Sequence, residues 1–185
     1  ALFAGAASVA ALACALYVFL RHRHARSLAG ALGAYCVHVG LALVTLGVAF
    51  SGPYQISKEA VLTPGRTMEI GGFTLTFKDI EQEQNPAMTI ARAVIDVQKD
   101  GKTVGRLAPE RRIYKGFEQP FAEVSTIPSL GDELYATLLS ATDKKAASIK
   151  ISVNPLVNWV WIGGTIMCLA PFLSLRRPKS GAERI

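Results

Sequence analysis

Charged side chains are scarce in this sequence and are absent from three long stretches. Asp, Glu, Lys and Arg make up 18% of the 185 residues, whereas a soluble domain has about 25%. Residues 2–20, 27–50 and 156–175 contain none of them. As helices these stretches would span roughly 28 to 36 Å, enough to cross a hydrocarbon core of about 30 Å. We therefore predict an integral membrane protein with three transmembrane helices, which excludes a purely soluble protein.

Cysteine is also scarce, and no cysteine pair has a spacing that serves metal, heme or redox chemistry. Cys14, Cys36 and Cys168 each fall inside a predicted span, and neither CxxC nor CxxCH occurs. We interpret the three residues as small apolar helix residues. The pattern excludes a disulfide-stapled domain and a chain that is itself a c-type cytochrome.

The net charge of +6 comes from two short segments. Between residues 51 and 150 there are 13 Lys or Arg and 13 Asp or Glu, so the excess lies in the loop 21–26 and the tail 176–184. Basic clusters beside membrane spans mark the cytoplasmic side. We predict that both segments lie inside, that residues 51–154 lie outside, and that nucleic acid is not a partner. His22 and His24 are then solvated residues of the inner loop.

Residues 51–154 change from helical to alternating periodicity. Apolar and polar side chains alternate in 73–78, 91–97 and 149–153, and Asp100-Gly101 is a strong hairpin signal. About seven or eight short strands at this spacing predict an extracytoplasmic all-β domain, a small sandwich or an open barrel.

This β domain would separate two segments of membrane helix. Residues 1–50 would hold the first two helices and the basic loop, and residues 155–185 the third helix and a basic cytoplasmic tail. The domain contains no histidine, and its carboxylates are scattered among basic residues. Its sequence has no nucleophile triad, phosphate-binding glycine loop or metal-ligand cluster, which favours a binding or scaffolding module over a catalytic one.

His38 lies near the middle of the second predicted span. A buried imidazole without a partner costs on the order of 1–3 kcal/mol, so this ring should be bonded to something. At about 100° per residue, the face centred on the histidine holds small residues: Ala31, Ala34, Ala42, Thr45 and Ala49. Tyr35 and Leu41 border this face. A glycine stripe on roughly the opposite side would let a neighbouring helix pack closely: Gly33, Gly40 and Gly47.

Three roles fit an imidazole in this setting. It could hydrogen-bond across to another helix, it could belong to a proton or substrate path, or it could bind a flat macrocyclic cofactor that small residues allow close to the backbone. Spacing alone leaves all three open.

Several segments in a fixed order, which cover nearly the whole chain after Ser27, resemble a known family. They are GAYCVHVGLA at 33–42, LTPG at 62–65 with GGF at 71–73, PERRIY at 109–114, EVS at 123–125, DELY at 132–135 and NPLVNWVWIGG at 154–164. In this order they are similar to the C-terminal region of the CcmF-type cytochrome c maturation proteins, the membrane heme lyase subunit.

The resemblance implies a resident heme b that is ligated by two histidines from different transmembrane helices. His38 matches the C-terminal histidine of that pair, so it would be an axial ligand of the heme iron, with Ala34, Ala42 and Thr45 facing the heme. Its partner would lie upstream of Ala1 or on another chain. Tyr35 or Thr45 would be the candidate acceptor for the other ring N–H of the histidine.

The resemblance also implies a function in the bacterial inner membrane, with the β domain on the periplasmic side. A CcmE-type heme chaperone would deliver heme, which is reduced and joined to the CxxCH thiols of apocytochrome c, and CcmH- and CcmI-type subunits would assemble with the lyase. The family's tryptophan-rich outer loop and two outward-facing histidines do not occur here. We therefore expect no activity from this segment alone, and interpret Ala1 as a cut point in a longer protein or a processed end.

Two other functions remain open at this stage. The chain could be a transporter or export-accessory subunit whose outer β domain binds a passenger and which holds no heme. It could also be a structural membrane anchor for the β domain.

Overall fold

Within residues 2–22, 28–117, 119–141 and 146–174, which the computed structural model describes, the chain forms three helices and ten strands. They belong to two units. The helical unit comprises the residues up to Pro53 and those from Leu156 onward, and the β unit comprises Tyr54–Pro155.

The helices are α1 (Leu2–His22), α2 (Leu28–Ser51) and α3 (Asn158–Ser174), the last with Pro171 in its interior. Each helix covers most of one charge-free stretch, and α1 extends beyond its stretch to Arg21 and His22. Among the described residues one helical segment, Leu32–Ser51, is long and apolar enough to cross a membrane, with a mean hydropathy of 1.9. The apolar segments Gly5–Arg21 and Asn158–Leu173 are shorter.

Helix α2 packs against both other helices of its unit. Its contact with α3 depends on glycine, as the stripe on α2 predicts. A Cβ atom on Gly40 would lie 2.7 Å from the carbonyl oxygen of Gly163, and one on Gly47 would lie 2.6 Å from a methyl carbon of Val160. Since real Cβ atoms do not approach other atoms so closely, these helices can pack this way only without side chains at the contact.

The β unit contains more strands than the alternating pattern predicts. They are β1 (Ile56–Leu62), β2 (Thr67–Ile70), β3 (Phe73–Gln84), β4 (Met88–Lys99), β5 (Lys102–Leu107), β6 (Glu110–Tyr114), β7 (Phe121–Glu123), β8 (Ser125–Ile127), β9 (Asp132–Ala141) and β10 (Ala147–Pro155). Strands β2, β7 and β8 have only three or four residues, too few for an alternation to be recognised.

The strands form two antiparallel sheets, which confirms the predicted sandwich. One has the order β1-β10-β9-β8, the other β2-β3-β4-β6-β7 with β5 also paired to β4. The inner faces share one apolar core, whose fully buried residues include Leu75, Phe77, Ile95, Leu134 and Ile151. The alternating residues of β3, β4 and β10 supply this core because alternate side chains of a strand point to the same face.

Tight turns fix the pairing of the central strands. Asp100 and Gly101, with φ angles of 51° and 73°, join β4 to β5, and Gly71 and Gly72, with φ angles of 56° and 79°, join β2 to β3. Two successive positive φ angles are typical of the type I′ turn, whose twist matches that of paired strands. The hairpin predicted at Asp100-Gly101 is therefore confirmed.

Candidate functional site

The imidazole of His38 is held by its own helix. Its Nδ1 lies 2.7 Å from the carbonyl oxygen of Ala34, one turn earlier in α2. A carbonyl oxygen can only accept, so Nδ1 carries the proton and donates it. In the neutral imidazole Nε2 is then the unprotonated ring atom, which is the atom that can bind a metal ion.

His38 lies in a groove of about 540 Å³ between α1 and α2. This volume is within the range of about 300–1,000 Å³ that is usual for ligand pockets. From α2 the groove is lined by Ala34, Tyr35, His38, Leu41, Ala42 and Thr45. From α1 it is lined by Ala7, Ser8, Ala11, Cys14, Ala15 and Val18. The imidazole is exposed in this chain, so the groove leaves it accessible.

The three small residues assigned to the histidine's face, Ala34, Ala42 and Thr45, all line this groove. Ala42 is almost fully buried, whereas Ala34 is exposed. Ala49 is buried but is not part of the lining, and the side chain of Ala31 lies outside the described residues.

The predicted acceptor for the Nδ1–H group of His38 is wrong. Tyr35 and Thr45 were the candidates, but the acceptor is the backbone carbonyl of Ala34. The hydroxyl of Thr45 instead donates to the carbonyl oxygen of Leu41 at 2.8 Å, and the ring of Tyr35 packs edge-on against Phe19 with 6.4 Å between the centroids. In a helix, a side-chain donor can reach the backbone carbonyl four residues earlier. This carbonyl therefore competes with side-chain acceptors for the same donor.

The α1 side of the groove was not predicted. Its signal is present in the sequence, because small residues recur on one helical face at positions 7, 8, 11, 14 and 15. Cys14, which we interpreted only as an apolar helix residue, is exposed and belongs to this wall. The side chain of His22 and the whole of His24 lie outside the described residues.

In the β unit the most constrained polar group is Glu110 of β6. Its carboxylate accepts hydrogen bonds from Arg92 Nε at 2.6 Å and from Arg112 Nη2 at 2.7 Å. Burial opposes ionisation of this carboxyl, but the hydrogen bonds from Arg112 and Arg92 outweigh it and lower the pKa of Glu110 below its usual value. The guanidinium pKa of Arg92 is raised, first by its hydrogen bond to Glu110. This cluster ties β4 to β6 and has no free nucleophile or base.

Within residues 2–22, 28–117, 119–141 and 146–174, no set of three or more His, Cys, Asp or Glu side chains is arranged to hold a metal ion. Among the described side chains, His38 is the histidine that lies in a groove.

Fold and site together define a class of protein: in chain order a β-sandwich lies between apolar helices, and within the described residues the imidazole of His38 faces a groove lined largely by small residues. Residues 53–155 match the family described as the CcmF C-terminal beta-sandwich. The match covers more than half of the chain and the whole β unit. The chain belongs to the CcmF family and corresponds to its C-terminal region.

Individual relatives agree with this assignment. The chain is 30% identical over 159 residues to the cytochrome c-type biogenesis protein CcmF of Pseudomonas aeruginosa, covering 82% of this chain and 24% of that protein. It is 29% identical over 147 residues to the CcmF of Escherichia coli, covering 80% and 23%. The chain thus spans about a quarter of the length of these curated relatives.

A solved structure named cytochrome c heme lyase CcmF has the same fold. It superposes with a TM-score of 0.75 at 24% sequence identity and covers 90% of this chain and 29% of that one. At this identity the likeness establishes the fold alone.

Proposed function

We propose that this chain is the heme-b-binding C-terminal part of a membrane cytochrome c heme lyase. In the complete protein it would support the reduction of heme delivered by a CcmE-type chaperone and its attachment to the CxxCH thiols of apocytochrome c. The relatives named as cytochrome c-type biogenesis proteins support this role.

The observation that carries the proposal is the state of His38. Its Nδ1–H is engaged with the Ala34 carbonyl, and its ring lies in the groove between α1 and α2. An imidazole bonded in this way is fixed in orientation and tautomer, and Nε2 has a free lone pair for iron. His38 would hold the heme iron through Nε2.

The lining of the groove supports heme as its ligand. Ala34 and Ala42 from α2 and Ala11 and Ala15 from α1 line it with methyl groups, so a flat ligand can approach both backbones closely. Apolar walls exclude water from an iron site and thereby affect its reduction potential. When bound at His38, the heme would supply electron transfer, which suits the reduction of a substrate heme.

The three helices would span the inner membrane, with the basic loop 21–26 and the tail in the cytoplasm. The β unit would then lie on the periplasmic side, where heme and apocytochrome c meet. The 17 residues of helix α3 cover about 26 Å at 1.5 Å per residue, which is less than a hydrocarbon core of about 30 Å. Either more residues than these 17 would cross the membrane, or the bilayer would be thinner around this helix.

The β-sandwich would serve as a scaffold for CcmH- and CcmI-type subunits. Several of its described charged groups form ion pairs with one another, as Glu110 does with Arg92 and Arg112. Deleting residues 55–150 from the complete protein should abolish co-purification of these subunits. Unchanged assembly would contradict this part of the proposal.

The main test is an absorption spectrum of the complete purified protein beside its His38→Ala variant. We expect a b-type pyridine hemochrome in the wild type, its loss in His38→Ala, and partial retention in His38→Cys or His38→Tyr, which keep a ligand atom. A wild type that is colourless yet supports cytochrome c assembly would favour the alternative of a transporter or export-accessory subunit without heme.

A further inference from the structure

Helices α1 and α2 have a defined antiparallel register. A Cβ atom on Gly5 would lie 2.7 Å from the ring of Phe50, and the rings of Phe19 and Tyr35 are 6.4 Å apart. These contacts pair residues whose numbers add up to 54 or 55. The level of His38 therefore corresponds to residues 16 and 17 of α1, and the groove-lining residues Ala15 and Val18 lie within one turn of it.

One face of α1 is thus opposite the histidine. Ala11, Cys14, Ala15 and Val18 recur at intervals of three and four residues and all line the groove, as one helical face does. Ala15 is central to this face, half-buried and part of the groove lining, so a longer side chain at this position would extend into the groove that His38 also lines. Ala13, only two residues away, is exposed and does not line the groove.

We infer that α1 is the second wall of the heme-binding groove and that Ala15 limits its width, so that a planar tetrapyrrole enters only when this residue is small. The inference rests on the proposed role of His38 and extends it to a helix without a ligand for iron. Cys14, as part of the same wall, lies where bound heme covers its thiol.

Ala15→Leu in the complete protein tests the width of the groove. We expect the heme content per protein, measured by pyridine hemochrome, to fall at least tenfold, because the larger side chain occupies the groove. Ala15→Gly, which adds no volume, should retain heme, and so should the matched control Ala13→Leu. Equal yield and gel-filtration profile of the two leucine variants would show that the loss is not a failure to fold.

The thiol of Cys14 provides a second readout that does not depend on activity. The rate at which maleimide labels Cys14 is measured by mass spectrometry of the peptide that contains it. Cys168, which is also exposed but does not line the groove, is the internal reference. We expect Cys14 to react at least tenfold more slowly in heme-loaded wild type than in heme-free His38→Ala, and Cys168 to react equally in both.

The outcomes separate this inference from the proposed function. If His38→Ala retains its heme, the proposed function fails. If His38→Ala loses heme but Ala15→Leu keeps it, or Cys14 reacts equally in the loaded and heme-free proteins, the role of α1 is overturned and that of His38 stands.

Discussion

Gly40 of α2 and Gly163 of α3 meet backbone to backbone. A Cβ atom on Gly163 would lie 2.5 Å from the carbonyl oxygen of Gly40 and 2.9 Å from the backbone nitrogen of Val44. Backbone atoms cannot move aside as the end of a flexible side chain can. The packing of α3 on the face of α2 opposite His38 therefore depends on the absence of two side chains.

Gly163→Ala should for this reason destabilise the helical unit. Over-packing a close contact costs typically about 1–3 kcal/mol, so we expect the thermal unfolding temperature of the detergent-solubilised complete protein to fall by several degrees. The matched control is Gly164→Ala, where a Cβ meets nothing within 4 Å. Both substitutions raise helix propensity equally. An equal change of unfolding temperature in Gly163→Ala and Gly164→Ala would therefore contradict the close contact between Gly163 and Gly40.

Periodicity along one helix predicted much of this unit. Spacing at 100° per residue places Ala34, Ala42 and Thr45 on the face of His38, and the structure brings all three to one groove. The same periodicity predicted that a helix packs against the glycine stripe. Which helix covers which face depends on packing between segments distant in the sequence, so periodicity within one helix does not determine it.

The α1 wall and the acceptor for His38 were missed for different reasons. The small residues of α1 carry no chemistry of their own, so only the fold shows that they face an imidazole. The Ala34 carbonyl has no signal in the sequence, because every residue has a backbone carbonyl and only the side-chain conformation decides whether the i−4 carbonyl is the acceptor.

In the β unit the alternation of apolar residues predicted the core strands but not the position of Glu110. A charged residue is expected in solvent, yet its side chain has only 11% of its surface exposed. Its partner Arg92 is 18 residues earlier, on a neighbouring strand. Only the pairing of β4 with β6, with Arg92 opposite Glu110, makes this burial possible.

Stability of the β4–β6 pair should depend on pH through Glu110. The pKa of this carboxyl is lower in the folded protein than its ordinary value of 4.5. Its stabilisation is therefore fully present above about pH 4.5 and is lost as the pH falls through the folded pKa. We expect amide protons of β4 and β6 to lose protection against hydrogen exchange over this acidic range, after correction for the intrinsic exchange rate.

Glu110→Gln tests this assignment. The variant should have lower protection at neutral pH, since hydrogen bonds to a charged group contribute about 1.5–3 kcal/mol, and its protection should change less with pH. Glu81→Gln is the control, because Glu81 is largely exposed and its contact with Arg92 is longer, at 3.3 Å. An unchanged pH profile in Glu110→Gln would show that other carboxyls cause the acid effect.

Two phenylalanines of the six-stranded sheet should respond differently to truncation. Phe77 is completely buried between the sheets, whereas Phe121 is 49% exposed and contacts the rings of Tyr114 and Phe117. Phe77→Ala should cost about 3–5 kcal/mol through lost burial and the remaining cavity. Phe121→Ala should cost much less. Limited proteolysis of the β unit in the complete protein measures the difference. Comparable sensitivity of the two variants to protease would contradict the burial of Phe77 in the core.

Thr45 and Thr165 make the same local bond in different surroundings. Each hydroxyl donates to the carbonyl four residues earlier, at 2.8 Å, but only Thr45 lines the groove of His38. Replacing either by Val removes one hydroxyl, so the effect on the helix should be similar.

Thr45→Val also makes the groove less polar, which disfavours the more highly charged oxidised iron. If the groove holds heme as proposed, its midpoint potential should rise on the order of tens of millivolts in Thr45→Val, measured by optical redox titration, and stay unchanged in Thr165→Val. Equal potentials in both variants would place the heme away from Thr45.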